Sequence, residues 1–369
     1  MAKNEASGRQ AGDEDQARPA ARPAALGAVQ GAAQDAAAGL ARDLKTVVDF
    51  ALSYHGFVES RVVGCHEIVE RLFLAFLCEG NVLLEGAPGL GKTRLAKTWA
   101  EYFGLAFRRV QFTPDLMPLD IIGSSILSAE GAREGGYRFY KGPIFTNVVL
   151  GDEINRATPK TQSAFLEAME EKRVTFLGDT MDLPSPFFVV ATQNPIELEG
   201  TYPLPEAQID RFLMRLFFKT PDFGTLKEIL RAVERPGIGE AAGLAATMEA
   251  IEAYRRAAPL VLVPESVENF ILRLVIQTQP EKSDVEAVRK YVRYGASPRC
   301  ALGLYRAARA RAVVAGRPNV AFEDAEALFA DLANHRVILN FEAEADGVGI
   351  DDVLKAVLSA VRREYRGAA

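Results

Sequence analysis

The stretch Gly86-Ala87-Pro88-Gly89-Leu90-Gly91-Lys92-Thr93 follows directly on the apolar run Val82, Leu83, Leu84. No other part of the chain restricts the fold as tightly. An apolar strand that ends in a glycine-rich turn and opens into a helix aims several backbone N–H groups, and the positive end of the helix dipole, at one point. Phosphate is the natural occupant of that point. The pattern GxxxxGK[ST] then lets Lys92 reach the outer phosphates of a nucleotide and lets the Thr93 hydroxyl ligate Mg²⁺. Gly86, Gly89 and Gly91 allow the backbone to approach without a Cβ in the way. The plainer alternative is a glycine-rich turn that happens to contain Gly-Lys-Thr; the strand before it and the helix after it weigh against that.

With 369 residues and 49% hydrophobic content, the chain can bury a sizeable core in two domains or one large one. A net charge of −6 supplies no global attraction to nucleic acid or to an anionic membrane surface. Cys65, Cys78 and Cys300 show neither CxxC spacing nor a histidine cluster beside them, so they read as core fillers in a reducing compartment. No apolar run approaches the roughly 20 residues a membrane helix needs, and no signal-peptide core follows the amino terminus. The expectation is a cytoplasmic protein.

Residues 1–42 are rich in Ala, Gly, Gln and Arg, and the first aromatic residue of the chain is Phe50. That composition predicts a disordered tail, because too little apolar surface is available to offset the ordering entropy. A transit peptide is disfavoured by Asp13, Glu14 and Asp15. From Leu44 to Glu79 helical spacing predicts two helices leading into the phosphate-loop strand. Strands and helices then alternate: strands over Leu105–Phe112, Asn147–Leu150, Phe187–Ala191 and Arg215–Phe218, with a helix from about Pro159 to Lys172. This is an α/β fold, a parallel sheet with helical crossovers, spanning residues 43–220. Past Pro221 the strand signals stop, and helical periodicity over Leu226–Ala232, Val267–Ile276, Ala301–Val313 and Phe322–Leu332 predicts a smaller all-α domain over residues 221–369.

Beyond the loop, Val148, Val149 and Leu150 run into Asp152 and Glu153. A buried strand ending in paired acids can hold Mg²⁺ through Asp152 and polarise a water through Glu153. Two solvated acids at a helix start are the bland alternative. Phe188–Ala191 ends in Thr192, Gln193 and Asn194, which places Asn194 at the carboxyl end of a strand, where ligands of such sheets sit. Asn194 before Pro195 could equally be a turn residue. Arg211 and Arg299 could be ordinary surface arginines, yet a phosphoryl-transfer site gains several orders of magnitude from one well-placed guanidinium. No NKxD-like segment follows a strand, which disfavours a guanine nucleotide.

Taken together, GAPGLGKT, the segment Gln111–Pro118, Gly151–Ala157 (GDEINRA), Ala191–Glu197 (ATQNPIE), Glu206–Phe212 (EAQIDRF) and Gly295–Arg299 (GASPR) resemble the MoxR family of AAA+ ATPases. The resemblance runs from about Leu44 to Leu358, with the motifs in the family's order. It implies hydrolysis of ATP with Mg²⁺ by a sheet domain and a helical lid. By position, Lys92 and Thr93 look like the Walker A pair, Asp152 and Glu153 like the Walker B acids and Asn194 like sensor 1. Arg211 looks like an arginine finger acting on a neighbouring subunit, and Arg299 like sensor 2 on the lid. Such a finger implies a homo-oligomer, usually a hexameric ring. Partners implied by the family are a von Willebrand A domain protein and a client protein or metalloenzyme to be matured.

Two stretches, Ile126–Tyr140 and Arg173–Leu183, read as hairpins similar to those of the helix-2-insert clade. That clade also contains magnesium chelatase and MCM subunits, so a metal-inserting ATPase and a DNA-acting ring remain alternatives. Against the DNA reading, Lys172 and Arg173 are offset by Glu170, Glu171 and Asp179, so no nucleic acid is expected. Departures from the family pattern are Gly151 in place of the usual Ala, expected to matter little, and Met117 and Leu119 in a variable loop. Arg156 fits either a subunit contact or a helix-start surface position.

Overall fold

A computed structural model describes residues 23–127, 137–194, 200–233 and 237–366. Its centre is a parallel sheet of β1 (Val82–Glu85), β2 (Phe107–Gln111), β3 (Val148–Asp152), β4 (Phe188–Gln193) and β5 (Met214–Phe217), in the order β2-β3-β4-β1-β5. All five strands match the predicted segments to within a few residues. Side chains alternate between the two faces of the sheet, as strand geometry requires. Val82, Leu84, Val148, Leu150, Phe188 and Val190 enter one core, while Leu83, Val149, Val189 and Ala191 enter the other. The sheet is therefore buried on both faces, the usual condition for parallel strands.

Four helices set the site. They are α1 (Pro23–Glu59), α2 (His66–Leu77), α3 (Lys92–Phe103) and α4 (Pro159–Glu171). Helix α3 starts inside the phosphate loop and is pinned to the sheet by Trp99, which stacks on Phe188 of β4 at 4.9 Å. Phe50, Tyr54, Phe73, Tyr102 and Phe103 join α1, α2 and α3 in one aromatic cluster. Tyr54 and Tyr102 also donate hydrogen bonds to the carbonyls of Val69 and Phe50, so their hydroxyls are not buried unmatched.

These elements correct one expectation and refine another. Of the predicted disordered tail, residues 1–42, residues 1–22 lie outside the described residues, and residues 23–42 are helical as the start of α1. Its alanines explain the difference: alanine is the strongest helix former, and absence of aromatic residues does not oppose a helix. The helical part beyond Pro221 also carries a small antiparallel pair, Val292–Tyr294 with Ile338–Leu339. Strands that short leave no readable alternation.

Past residue 221 the four predicted helices are present as Phe223–Val233, Glu265–Ile276, Pro298–Val314 and Phe322–Ala333, joined by Gly243–Ala257 and Ile350–Arg366 among others. The apolar core on one face of the sheet continues without a break into these helices, through Leu274, Leu304, Leu328 and Val357. Asp43 on α1 pairs with Arg256 of the Gly243–Ala257 helix at 2.7 Å, tying the first helix to the last third of the chain.

Both hairpins are present. Gly123–Leu127 pairs with Tyr137–Lys141, and Arg173–Phe176 with Asp179–Asp182. The tip of the first, with Gly131, Gly135 and Gly136, lies outside the described residues. Gly123 has φ 113° and packs so closely on the Tyr140 carbonyl that a Cβ would overlap it, so the hairpin can leave the short Pro118–Ile122 helix only through glycine. Gly151 matters more than expected: a Cβ there would sit 2.9 Å from the Phe165 ring of α4. Glycine at 151 leaves the room in which Phe165 is seated.

Candidate functional site at the carboxyl ends of the strands

The loop between β1 and α3 is built as the pattern requires. Gly89 and Gly91 have φ 81° and 93°, and the space where their Cβ atoms would lie is open within 4 Å. The backbone thus forms an uncovered cradle at the start of α3. Lys92 lies along the loop and donates to the carbonyls of Gly86 (2.5 Å) and Ala87 (3.2 Å). Burial lowers its pKa, against the opposing pull of Asp152, Glu153 and Glu85. Beside the loop, a cavity of ~610 Å³ is lined by Gly89, Leu90, Gly91, Arg94, Val62, Val63, Phe218 and Thr220, among others. It is large enough to take a nucleotide's base and sugar next to the phosphate cradle.

Parallel register brings the acids to that cradle. Gln111 of β2 is level with Asp152 of β3, and Gln193 of β4 with Glu85 of β1. Asp152 is buried, accepting from Thr192 Oγ1 at 2.5 Å through Oδ1 and from Thr93 Oγ1 at 3.4 Å through Oδ2. Thr93 and Asp152 together present hard oxygen donors of the kind Mg²⁺ takes, and would hold it against the phosphates, where it neutralises charge on their oxygens.

Glu153 stands in the left-handed region, φ 58°, a conformation costly for a residue with a Cβ. Its backbone N–H donates to Thr192 Oγ1 at 2.9 Å, so one hydroxyl locks both acids. Its carboxylate accepts from Gln111 Nε2 at 2.7 Å and from Arg156 Nη1 at 3.1 Å. Asn194 is buried at the end of β4, and its carbonyl accepts from Asn155 Nδ2 at 3.4 Å.

Three residues of this network escaped the sequence reading. Arg109 of β2 grips Asp152 Oδ2 with Nη2 at 2.7 Å and Nε at 2.9 Å. That oxygen is the one facing Thr93, so the guanidinium would compete with a magnesium ion for it. Gln111 and Thr192 were visible only as members of longer motifs. What could have marked all three is position, since they lie within two residues of the carboxyl ends of the strands on either side of the acid-bearing one.

Arg211 and Arg299 are gathered elsewhere. Arg211 pairs with Glu170 at 3.0 Å, while Arg299, second residue of the Pro298–Val314 helix, pairs with Glu170 at 3.2 Å and Asp210 at 3.3 Å. Glu170 closes the far end of α4, and neither arginine lines the cavity beside the phosphate loop. The segment carrying Arg211 is clamped by a polar triplet, Asn334-His335-Arg336, that the sequence reading passed over. Arg336, 2% exposed, bonds the Asp210 carboxylate at 2.7 Å and the carbonyls of Phe212 and Leu213 at 2.7 and 3.1 Å. Burial holds the His335 pKa well below its ordinary value, so the neutral ring faces the Phe212 carbonyl without a buried charge of its own.

A parallel sheet in this strand order, with a phosphate loop, strand-end acids and a helical lid, can be compared with known proteins. Residues 81–214 match the profile of the ATPase family associated with various cellular activities (AAA), and residues 285–357 match the AAA lid domain. Chaperone MoxR1 of Mycobacterium tuberculosis is 41% identical over 309 residues, covering 82% of this chain and 80% of that protein. The chain belongs to the MoxR family of AAA+ ATPases. Protein MoxR of Methylorubrum extorquens is 30% identical over 333 residues, covering 85% of this chain and 95% of that relative. A solved structure from Cytophaga hutchinsonii, described as a candidate ATPase, superposes with a TM-score of 0.75 at 38% identity, covering 89% of this chain and 97% of the other. As a family member the chain is a chaperone-like, ATP-hydrolysing AAA+ protein. Among the described residues no helix is long and apolar enough to cross a membrane.

Proposed function

We propose that the chain works as a ring, probed most directly as a hexamer, in which each ATP is bound by one subunit and attacked with help from the next. Lys92, Thr93 and the loop hold ATP, Asp152 completes the Mg²⁺ site, Glu153 takes the proton of the attacking water and Asn194 orients it. Arg211 and Arg299 come from the neighbour and stabilise charge on the transferred phosphoryl group. The observation that carries this reading is their shared seat on Glu170. Arg211, Arg299 and Arg336 share two carboxylates, Glu170 and Asp210, which leaves one guanidinium more than the acids of the cluster can balance, and neither Arg211 nor Arg299 lines the cavity beside the chain's own phosphate loop. A second subunit's nucleotide is the anion that face fits.

The work done with ATP is remodelling or maturation of a client protein complex, together with a partner carrying a von Willebrand A domain. Family membership and the hairpin of residues 173–182, whose tip residue Leu177 is 83% exposed, support a protein client. Lys172 and Arg173 at its base are paired with Glu79 and Glu171, which disfavours an MCM-like DNA track. DNA binding that weakens steeply with salt would overturn that preference.

Mixing two inactive variants tests the shared site. Lys92→Ala lacks the loop cation but keeps its arginines; Arg211→Ala keeps its loop but lacks the finger. Randomly mixed rings should recover about a quarter of wild-type ATPase, the share of interfaces pairing a good loop with a good finger in a head-to-tail ring. No recovery above the separate variants, from rings shown to mix, would sink the arrangement.

A further inference from the structure

Away from the strand ends, α1 and α2 gather two of the chain's three histidines around one carboxylate. His55 and Glu59 lie one helical turn apart on α1, and the turn of residues 60–65 brings His66, first residue of α2, back to them. Glu59 Oε1 is 3.4 Å from His55 Nδ1 and 2.5 Å from His66 Nδ1. The three ligand atoms all lie within 4.8 Å of one another. A tetrahedral cation with metal–ligand distances of about 2.0–2.2 Å needs its ligand atoms roughly 3.3–3.5 Å apart. The His55–Glu59 pair already meets that spacing. His66 has to withdraw by about an ångström to reach the same ligand spacing, and its side chain, 73% exposed, has the room.

We propose that His55, Glu59 and His66 form a site for a divalent transition-metal cation of the zinc class. Two imidazoles and one carboxylate select such an ion over Mg²⁺ or Ca²⁺, which take oxygen donors. Three protein ligands leave a fourth position to water or another donor. The site opens on a surface cavity lined by Glu59, Ser60, Cys65, His66, Glu228 and Arg231.

The ion would act on the turn it closes. Val62, Val63, Gly64 and Cys65 of that turn line the cavity beside the phosphate loop. Ser60 Oγ accepts from the Ile238 N–H at 3.0 Å, and Arg61 Nη1 donates to the Ile238 carbonyl at 2.8 Å, which joins the same turn to the segment entering the later helices. A clamp on α1 and α2 therefore stiffens one wall of the cavity and its link to the helical part. This reaches the nucleotide cavity through the backbone, without a ligand atom shared with Asp152 or Thr93.

Isothermal titration of full-length, tag-free, chelator-treated protein with zinc chloride, in buffer that already contains Mg²⁺, tests the site. One zinc per chain at micromolar affinity or tighter is expected. His66→Ala, which alters a mostly exposed side chain, should weaken it about 100-fold or more, and Glu59→Gln at least about tenfold. Cys65→Ala should leave the affinity within about threefold, since the thiol is not among the three ligands. Cobalt substituted for zinc should give a visible ligand-field band that His66→Ala abolishes. Zinc should raise the melting temperature of the wild type and not of His66→Ala. Affinity no better than millimolar, or zinc binding undiminished in both His66→Ala and Glu59→Gln, would overturn the proposal.

Discussion

The two halves of the proposed site are held by different forces. The phosphate half is set by backbone: a strand, a turn of glycines at positive φ, a helix start, and acids placed by parallel register with Thr192 locking both. The arginine half is set by side chains that meet across the chain. Arg211 and Arg299 share Glu170, and Asp210 is held by Arg336, which sits beyond the Phe322–Ala333 helix. Backbone geometry persists as long as the sheet does, whereas an ion-pair network depends on where the helical part sits. If these residues act as proposed, the phosphate half would bind in any state of the lid, and Arg299 and Arg336, which come from the helical part, would make the arginine half follow the lid's position.

Removing a member of each half breaks that comparison most sharply. Arg211→Ala should lower ATP hydrolysis about 1,000-fold, the low end for an arginine finger, with nucleotide affinity measured on the isolated subunit unchanged. A parallel loss of affinity would place Arg211 in the chain's own binding site and erase the distinction. Next in size, Arg336→Leu removes one partner of a buried ion pair and should cost about 3 kcal/mol or more of stability. Assayed well below its lowered melting temperature, it should still bind ATP but hydrolyse it about tenfold more slowly, because the Arg211 segment loses its clamp. Equal losses in both would mean that Arg336 serves stability alone.

The smallest effect sharpens the phosphate half. Arg109→Ala frees Asp152 Oδ2 from a half-exposed guanidinium. The Mg²⁺ concentration at half-maximal ATP-dependent fluorescence change should fall about fivefold, the size of a ~1 kcal/mol exposed charge pair. A rise instead would show that Arg109 orients Asp152 for the ion rather than competing with it.

Most of the fold was legible because it follows from local patterns. The apolar runs of β1, β3 and β4, the spacing of α4 and the turn at Gly178 each specify their element within a window of a dozen residues. Residues 23–42 form helix where disorder was expected because composition pointed two ways there, alanine both lacking core-forming bulk and favouring helix. Gly151 was undervalued because its reason, the Phe165 ring, is supplied by a different element.

Of the site, the loop, Asp152, Glu153 and the strand end at Asn194 could be picked from sequence, since each is tied to the strand that carries it. Arg109 on Asp152, Gln111 on Glu153, and the His55–Glu59–His66 cluster could not. By itself, then, the sequence determined the phosphate cradle, the acids behind it and the parallel sheet that aligns them, because these are properties of short segments and of strand register. Only the tertiary structure decided that Arg211 and Arg299 meet on Glu170 and that Arg336 clamps the segment between. Such contacts join residues up to 129 positions apart. Their geometry exists only once the helices have packed, and no local periodicity encodes it.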